Sequence, residues 1–170
     1  MAVTQDLAHY RFLKGSLAAF TPDSISVEDP VLGRTAVQFA AGFTRFWSGK
    51  MVRTIDPSSG DVITVAAFLN DAGSLVAREV YVNIGQFRGH VKDITEDGFT
   101  LDPVVSPDGR IDGRGGRVET TAATEVLHAS TGGAVTPLQS QDIRKGIYAL
   151  AIGVQRPSTP GILQASRLIM

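Results

Sequence analysis

The chain has 170 residues, no cysteine, and 16 basic against 17 acidic side chains, for a net charge of −1. The missing cysteine excludes disulfides, thiolate metal sites, iron–sulfur clusters and a cysteine nucleophile. Near-neutrality gives no global field to attract nucleic acid or an anionic membrane. The length suits one domain, which would bury roughly 70% of its unfolded surface. Charged residues make up 19%, below the roughly 25% of average soluble domains. That deficit fits a loop-rich β protein, or a chain that covers surface with partner subunits.

At the N-terminus, Leu7, Tyr10, Leu13 and Leu17 lie at near-helical spacing after a possible Thr4 cap, with Gly15 against the pattern. Residues 1–20 therefore read as a short helix or an extended arm. No basic stretch precedes an apolar one, so no signal peptide is expected. No apolar run approaches the ~20 residues of a membrane span. Thr21-Pro22-Asp23 and Asp29-Pro30 are turn signals that bracket a strand from Ser24 to Glu28. Phe39, Phe43, Phe46 and Trp47 cluster within 35–47 at a spacing that fits one helix face, or a pair of strands bent at Gly42.

Met51 to Ile55 and Val62 to Leu69 read as strands around a turn at 56–61. Arg78 to Asp102 is the clearest stretch. Val80, Val82 and Ile84 alternate with polar or amphipathic neighbours, the period of a half-buried strand, and Gly85 breaks it. Phe87 to Ile94 forms a second strand. Glu96-Asp97-Gly98 makes a hairpin turn, because glycine takes positive φ cheaply, and Phe99 and Leu101 share a face of the third. Pro103 and Pro107 end the run.

Residues 108–117 are a glycine- and arginine-rich loop, and 118–128 is a strand or a short helix. Ile147 to Val154 reads as a buried strand. Arg156 to Gly161 carries two prolines and reads as a linker, followed by an apolar arm with Leu163, Leu168 and Ile169. The expected architecture is mainly β: an antiparallel sandwich or small barrel with one or two short helices and extended terminal arms. The expected division is an N-terminal arm at 1–20, a β domain at 21–155, and a C-terminal linker and arm at 156–170. No internal sequence repeat is apparent.

No catalytic constellation emerges. His9, His90 and His128 are isolated, and neither GxSxG nor GxxxxGK[ST] occurs. The expectation is a non-enzymatic structural or assembly protein without cofactor or metal. Its partners would be copies of itself and neighbouring subunits, with no membrane and no nucleic acid. The most concrete form is a bacteriophage virion component, such as a capsid decoration, head–tail or tail protein, located in the virion or the cytoplasm. The candidate contacts are Phe43, Arg45, Phe46 and Trp47 in the aromatic patch, Arg110, Arg114 and Arg117 in the loop, and Leu163, Leu168 and Ile169 in the arm. The three arginines offer planar donors suited to phosphate.

One alternative comes from a resemblance. Asp93-Ile94-Thr95-Glu96-Asp97-Gly98 fits the D-x-[S/T]-x-x-G element of PilZ domains, and residues 81–101 resemble strand–turn–strand segments of that family. The resemblance implies a six-stranded barrel that binds cyclic di-GMP or another phosphate-bearing ligand. The family places an RxxxR arginine pair before that element, whereas the pair here, Arg110 and Arg114, follows it.

Overall fold

The computed structural model describes residues 10–170, and the Thr4, Leu7 and His9 readings lie outside them. The described structure is almost wholly β, and the chain divides into two compact units, residues 1–83 and 84–170. Two barrels thus replace the expected single domain at 21–155.

The first barrel contains β1 (Tyr10–Thr21), β2 (Ser24–Asp29), β3 (Gly33–Gln38), β4 (Arg45–Ser48), β5 (Lys50–Val52), β6 (Val62–Leu69) and β7 (Leu75–Val82). Its strand order is β3-β2-β1-β6-β7-β4-β5, and β3 also pairs in parallel with β7 at Gln38 and Val76. That pairing closes a ring of five strands. The β4–β5 hairpin continues along the same edge of β7. Inside lie Leu13, Ile25, Val27, Val37, Ile63, Val65, Ala67, Ala77 and Val80, all inaccessible to solvent.

The second barrel contains β8 (Ile84–Thr95), β9 (Gly98–Asp102), the small β10 (Val104–Val105) and β11 (Ile111–Asp112) hairpin, and β12 (Gly116–Glu119). It continues with β13 (Glu125–Ala129), β14 (Val135–Leu138), a 3-10 turn at Ser140–Asp142, β15 (Tyr148–Val154) and β16 (Ile162–Ile169). The order is β12-β9-β8-β15-β16-β13-β14, with β12 also parallel to β16. This is the topology of the first barrel, strand for strand.

The match extends to individual residues. The long first strand of each barrel carries a glycine where another chain segment passes too close for a side chain. A Cβ on Gly15 would lie 1.8 Å from the Glu28 carbonyl oxygen, and one on Gly89 would lie 1.9 Å from that of Asp102. The Thr44 hydroxyl donates to the Ala77 carbonyl at 2.7 Å and accepts from the Ala40 amide. Thr124 does the same with the Ala165 carbonyl at 2.8 Å and the Thr121 amide. Register shifts fall at equivalent places, between Ala66 and Ala67 and between Ile152 and Gly153.

The cores are filled differently. Leu13, Ile25 and Val27 of the first barrel become the larger Phe87, Phe99 and Leu101 of the second, while Ile63 and Val65 become Ala149 and Ala151. Enlargement on one side of the ring is offset by reduction on the other. Cores tolerate such swaps while total volume holds.

Several expectations change. Residues 10–20 form β1 rather than a helix or arm, because Leu13 and Leu17 face the core at strand spacing. Of the two readings of the 35–47 segment, the pair of strands broken near Gly42 holds and the helix does not. The first break in the 78–102 run falls at Asn83, not Gly85, which lies within β8. Asn83 has φ +53, and its side chain fastens this bend: the Val62 amide donates to Oδ1 and Nδ2 donates to Asp61. Asparagine takes this conformation more readily than most side chains. The 156–161 segment is a tight connection, with the Thr159 amide bonded to the Arg156 carbonyl. The expected C-terminal arm is β16, an interior strand of the sheet whose Leu163 and Leu168 are fully buried.

Candidate contact surface

Strand alternation separates the expected aromatic patch into two sets. Phe46 points inward and meets Phe39 edge-on, with centroids 5.1 Å apart, and both pack against the core. Arg45 and Trp47, one residue to either side, point outward. Phe43, in the turn before β4, sits edge-on to Phe68 at 5.4 Å.

The outward residues join a larger surface spanning four strands. Tyr10 faces Phe68 across β1 and β6, Phe12 faces Ala66, and Trp47 faces Tyr81 across β4 and β7. The Trp47 and Tyr81 rings stack, with centroids 5.9 Å apart and planes 15° from parallel. Phe12 is 74% exposed and Phe43 45%. Ala66 and Val76 belong to the same surface rather than the core cluster, yet each is only 8% exposed. Apolar and aromatic side chains thus stand outside the barrel as well as within it, interleaved with Lys14, Thr64, Arg45 and Glu79.

Polar groups hold these side chains in place. The Tyr81 hydroxyl donates to Glu79, and Arg45 lies 3.9 Å from the same carboxylate. Burial, reinforced by the Glu79 carboxylate, pushes the Tyr81 hydroxyl up to about 12, so it stays a donor at neutral pH. Arg78 donates to the Tyr10 hydroxyl at 3.0 Å. The Trp47 Nε1–H is covered from solvent and has no acceptor among the described residues.

The second barrel lacks this arrangement. By register, Ile84, Gln86, Val154, Leu127 and Ile169 stand where the first has Tyr10, Phe12, Phe68, Trp47 and Tyr81. Its outer aromatic contact is His90 edge-on to Tyr148, farther along β8 and β15. Ile169, expected in the arm, is therefore the counterpart of Tyr81.

The loop arginines all have partners within the second barrel. Arg110 bridges to Asp108 at 3.2 Å and is largely exposed. Arg114 donates to the Pro160 carbonyl at 3.0 Å, with its guanidinium carbon 5.8 Å from the Phe87 ring centroid. Arg117 bonds Thr95 and Asp97, the very turn that resembles the PilZ element. The Thr95 hydroxyl and then Arg117 hold the Asp97 carboxyl below its usual range. Arg117 and this turn thus form a structural clasp. Among the described residues, no cluster of histidine and acidic side chains could hold a metal ion. No helix among them is long and apolar enough to cross a membrane.

Of the side chains on this face, Phe43, Arg45 and Trp47 are among the sequence candidates, and Tyr10, Phe12, Phe68 and Tyr81 are not. The alternation of Tyr10 and Phe12 is a strand signal, masked by helical spacing of the leucines around it. No family model matches this chain, and no curated protein matches it.

Proposed function

We propose that this chain is a non-enzymatic assembly protein that works through protein–protein contacts, with the outer face of the first barrel as its contact surface. The carrying observation is the difference between two barrels of one topology. The second builds the same strand ladder with Gln86 and Leu127 where the first displays Phe12 and Trp47, so the fold itself does not demand those aromatics. Aromatic residues and arginine are the side chains most enriched in the buried centres of protein interfaces. Large exposed apolar patches on monomers mark such sites.

The bacteriophage-virion form of this reading rests on the low share of charged residues. The segments first read as apolar arms lend it nothing, because Leu13 and Leu17 pack in the first barrel and Leu163 and Leu168 in the second. The test is the mass of the tagged chain isolated from its own cell under mild conditions, compared with a Phe12→Ser, Phe43→Ser variant. A defined complex lost in the variant is expected. Equal masses, with both proteins folded, would overturn the assignment.

A further inference from the structure

We infer that the occupant of this aromatic face is an apolar protein segment flanked by carboxylates, an inference that rests on the contact-surface reading above. The argument is charge complementarity. Lys14 follows Phe12 on the outward side of β1, two residues on. Arg78 reaches the face at the Tyr10 hydroxyl. Neither cation has an ion-pair partner among the described residues. Glu79, which follows Arg78 in β7, is already engaged by Tyr81 and Arg45.

The face therefore offers apolar area with two cations, one on β1 and one on β7, that make no ion pair among the described residues. A second copy using the same face would set these cations against each other, which like-charge repulsion disfavours. A nucleic acid would also supply anions and stackable rings. However, the chain as a whole carries one more acid than base, so no extended positive field exists to hold a polyphosphate. Carboxylates spaced among leucine or phenylalanine side chains satisfy both features.

Trp47 is the chain's sole tryptophan, so its emission reads this face directly. The full chain is titrated with a synthetic peptide of alternating glutamate and leucine, its lysine counterpart, and single-stranded oligothymidylate. Saturable change with the glutamate peptide alone is expected, weakening as salt rises. Lys14→Glu should weaken it roughly tenfold or more, and Phe12→Ser should abolish it. Response to oligothymidylate instead would make the face a nucleic-acid surface and overturn the inference. So would a change on raising protein concentration alone with a doubling of mass, which would make the occupant a second copy. Silence toward the glutamate peptide at millimolar concentration would also overturn it. If the Phe12→Ser, Phe43→Ser variant had meanwhile lost its complex, the contact surface would stand and only the partner chemistry would fall.

Discussion

The two barrels answer one folding problem with different side chains, and the difference separates what the topology needs from what it only carries. Both keep a glycine on the first strand where a carbonyl presses in, and both keep a threonine hydroxyl fastened to the carbonyl of an alanine. Both keep a buried aliphatic residue on the last strand, Val80 in one and Leu168 in the other. These are requirements of the ring. The outer face varies freely between them, and there the first barrel is aromatic and the second mostly aliphatic and polar.

The sharpest break in the comparison comes from deleting 157–170. In the sequence this segment reads as an arm whose loss spares the fold. In the structure it is β16, hydrogen-bonded to β15, β12 and β13. Removing it takes Leu163 and Leu168 from the core and opens the ring. Second-barrel amide protection should vanish in hydrogen exchange, while Trp47 emission keeps its native wavelength. Retained protection in 84–156 would show that the strand is dispensable.

Next in size is Gly15→Ala. The added methyl would lie 1.8 Å from the Glu28 oxygen, a backbone atom that cannot swing aside. The cost should exceed about 4 kcal/mol, the range reserved for severe strain. Urea unfolding followed by Trp47 fluorescence reads the first barrel alone, because that barrel holds the only tryptophan. Gly89→Ala should spare this signal and damage the second barrel instead. A mild effect at both positions would sink the claim that the two glycines do the same work.

Much of this architecture was legible. Ser24 to Glu28, Val62 to Leu69, Ile147 to Val154 and the Glu96-Asp97-Gly98 hairpin all stand where alternation and turn residues put them. The duplication was not. Its signature is a few spaced residues whose meaning is geometric, and the core reversed its large and small positions between copies. Bulges at Arg78, opposite Ala66/Ala67, and at Ser166, opposite Ile152/Gly153, shift the phase of alternation within β7 and β16. The outer aromatic face was half visible, because Phe43, Arg45 and Trp47 are sequence neighbours. Tyr10, Phe12, Phe68 and Tyr81 join them only through the pairing of distant strands.

A smaller effect depends on pH. Asp29 accepts hydrogen bonds from the amides of Lys14, Val31 and Leu32, and these hold its carboxyl below the usual value near 3.8. A depressed folded-state value means the carboxylate stabilises the fold at every pH above its unfolded value. That contribution is lost as pH falls through the folded value. Pro103 occupies the corresponding position in the second barrel, so this particular carboxylate has no counterpart there. Acid titration from pH 5 to pH 2, followed by Trp47, should show an unfolding step that flattens in Asp29→Asn. An unchanged profile would mean that the three amides do not depend on the charge.

The smallest expected effect tests how far the outer faces are interchangeable. Arg45 pairs with Glu79 across β4 and β7, while Glu125 pairs with Arg167 across β13 and β16. The registers match and the charges are exchanged. Such half-exposed pairs are worth roughly 0.2–1 kcal/mol. Arg45→Glu alone places two carboxylates side by side and should cost about that much. Adding Glu79→Arg reproduces the second barrel's arrangement and should restore stability, although Tyr81 then loses its acceptor. Contact is a different matter, because the double exchange moves a positive charge from beside Trp47 to beside Tyr81. If stability recovers in denaturant while the glutamate-peptide response of Trp47 does not, the pair's orientation is set by recognition rather than by folding.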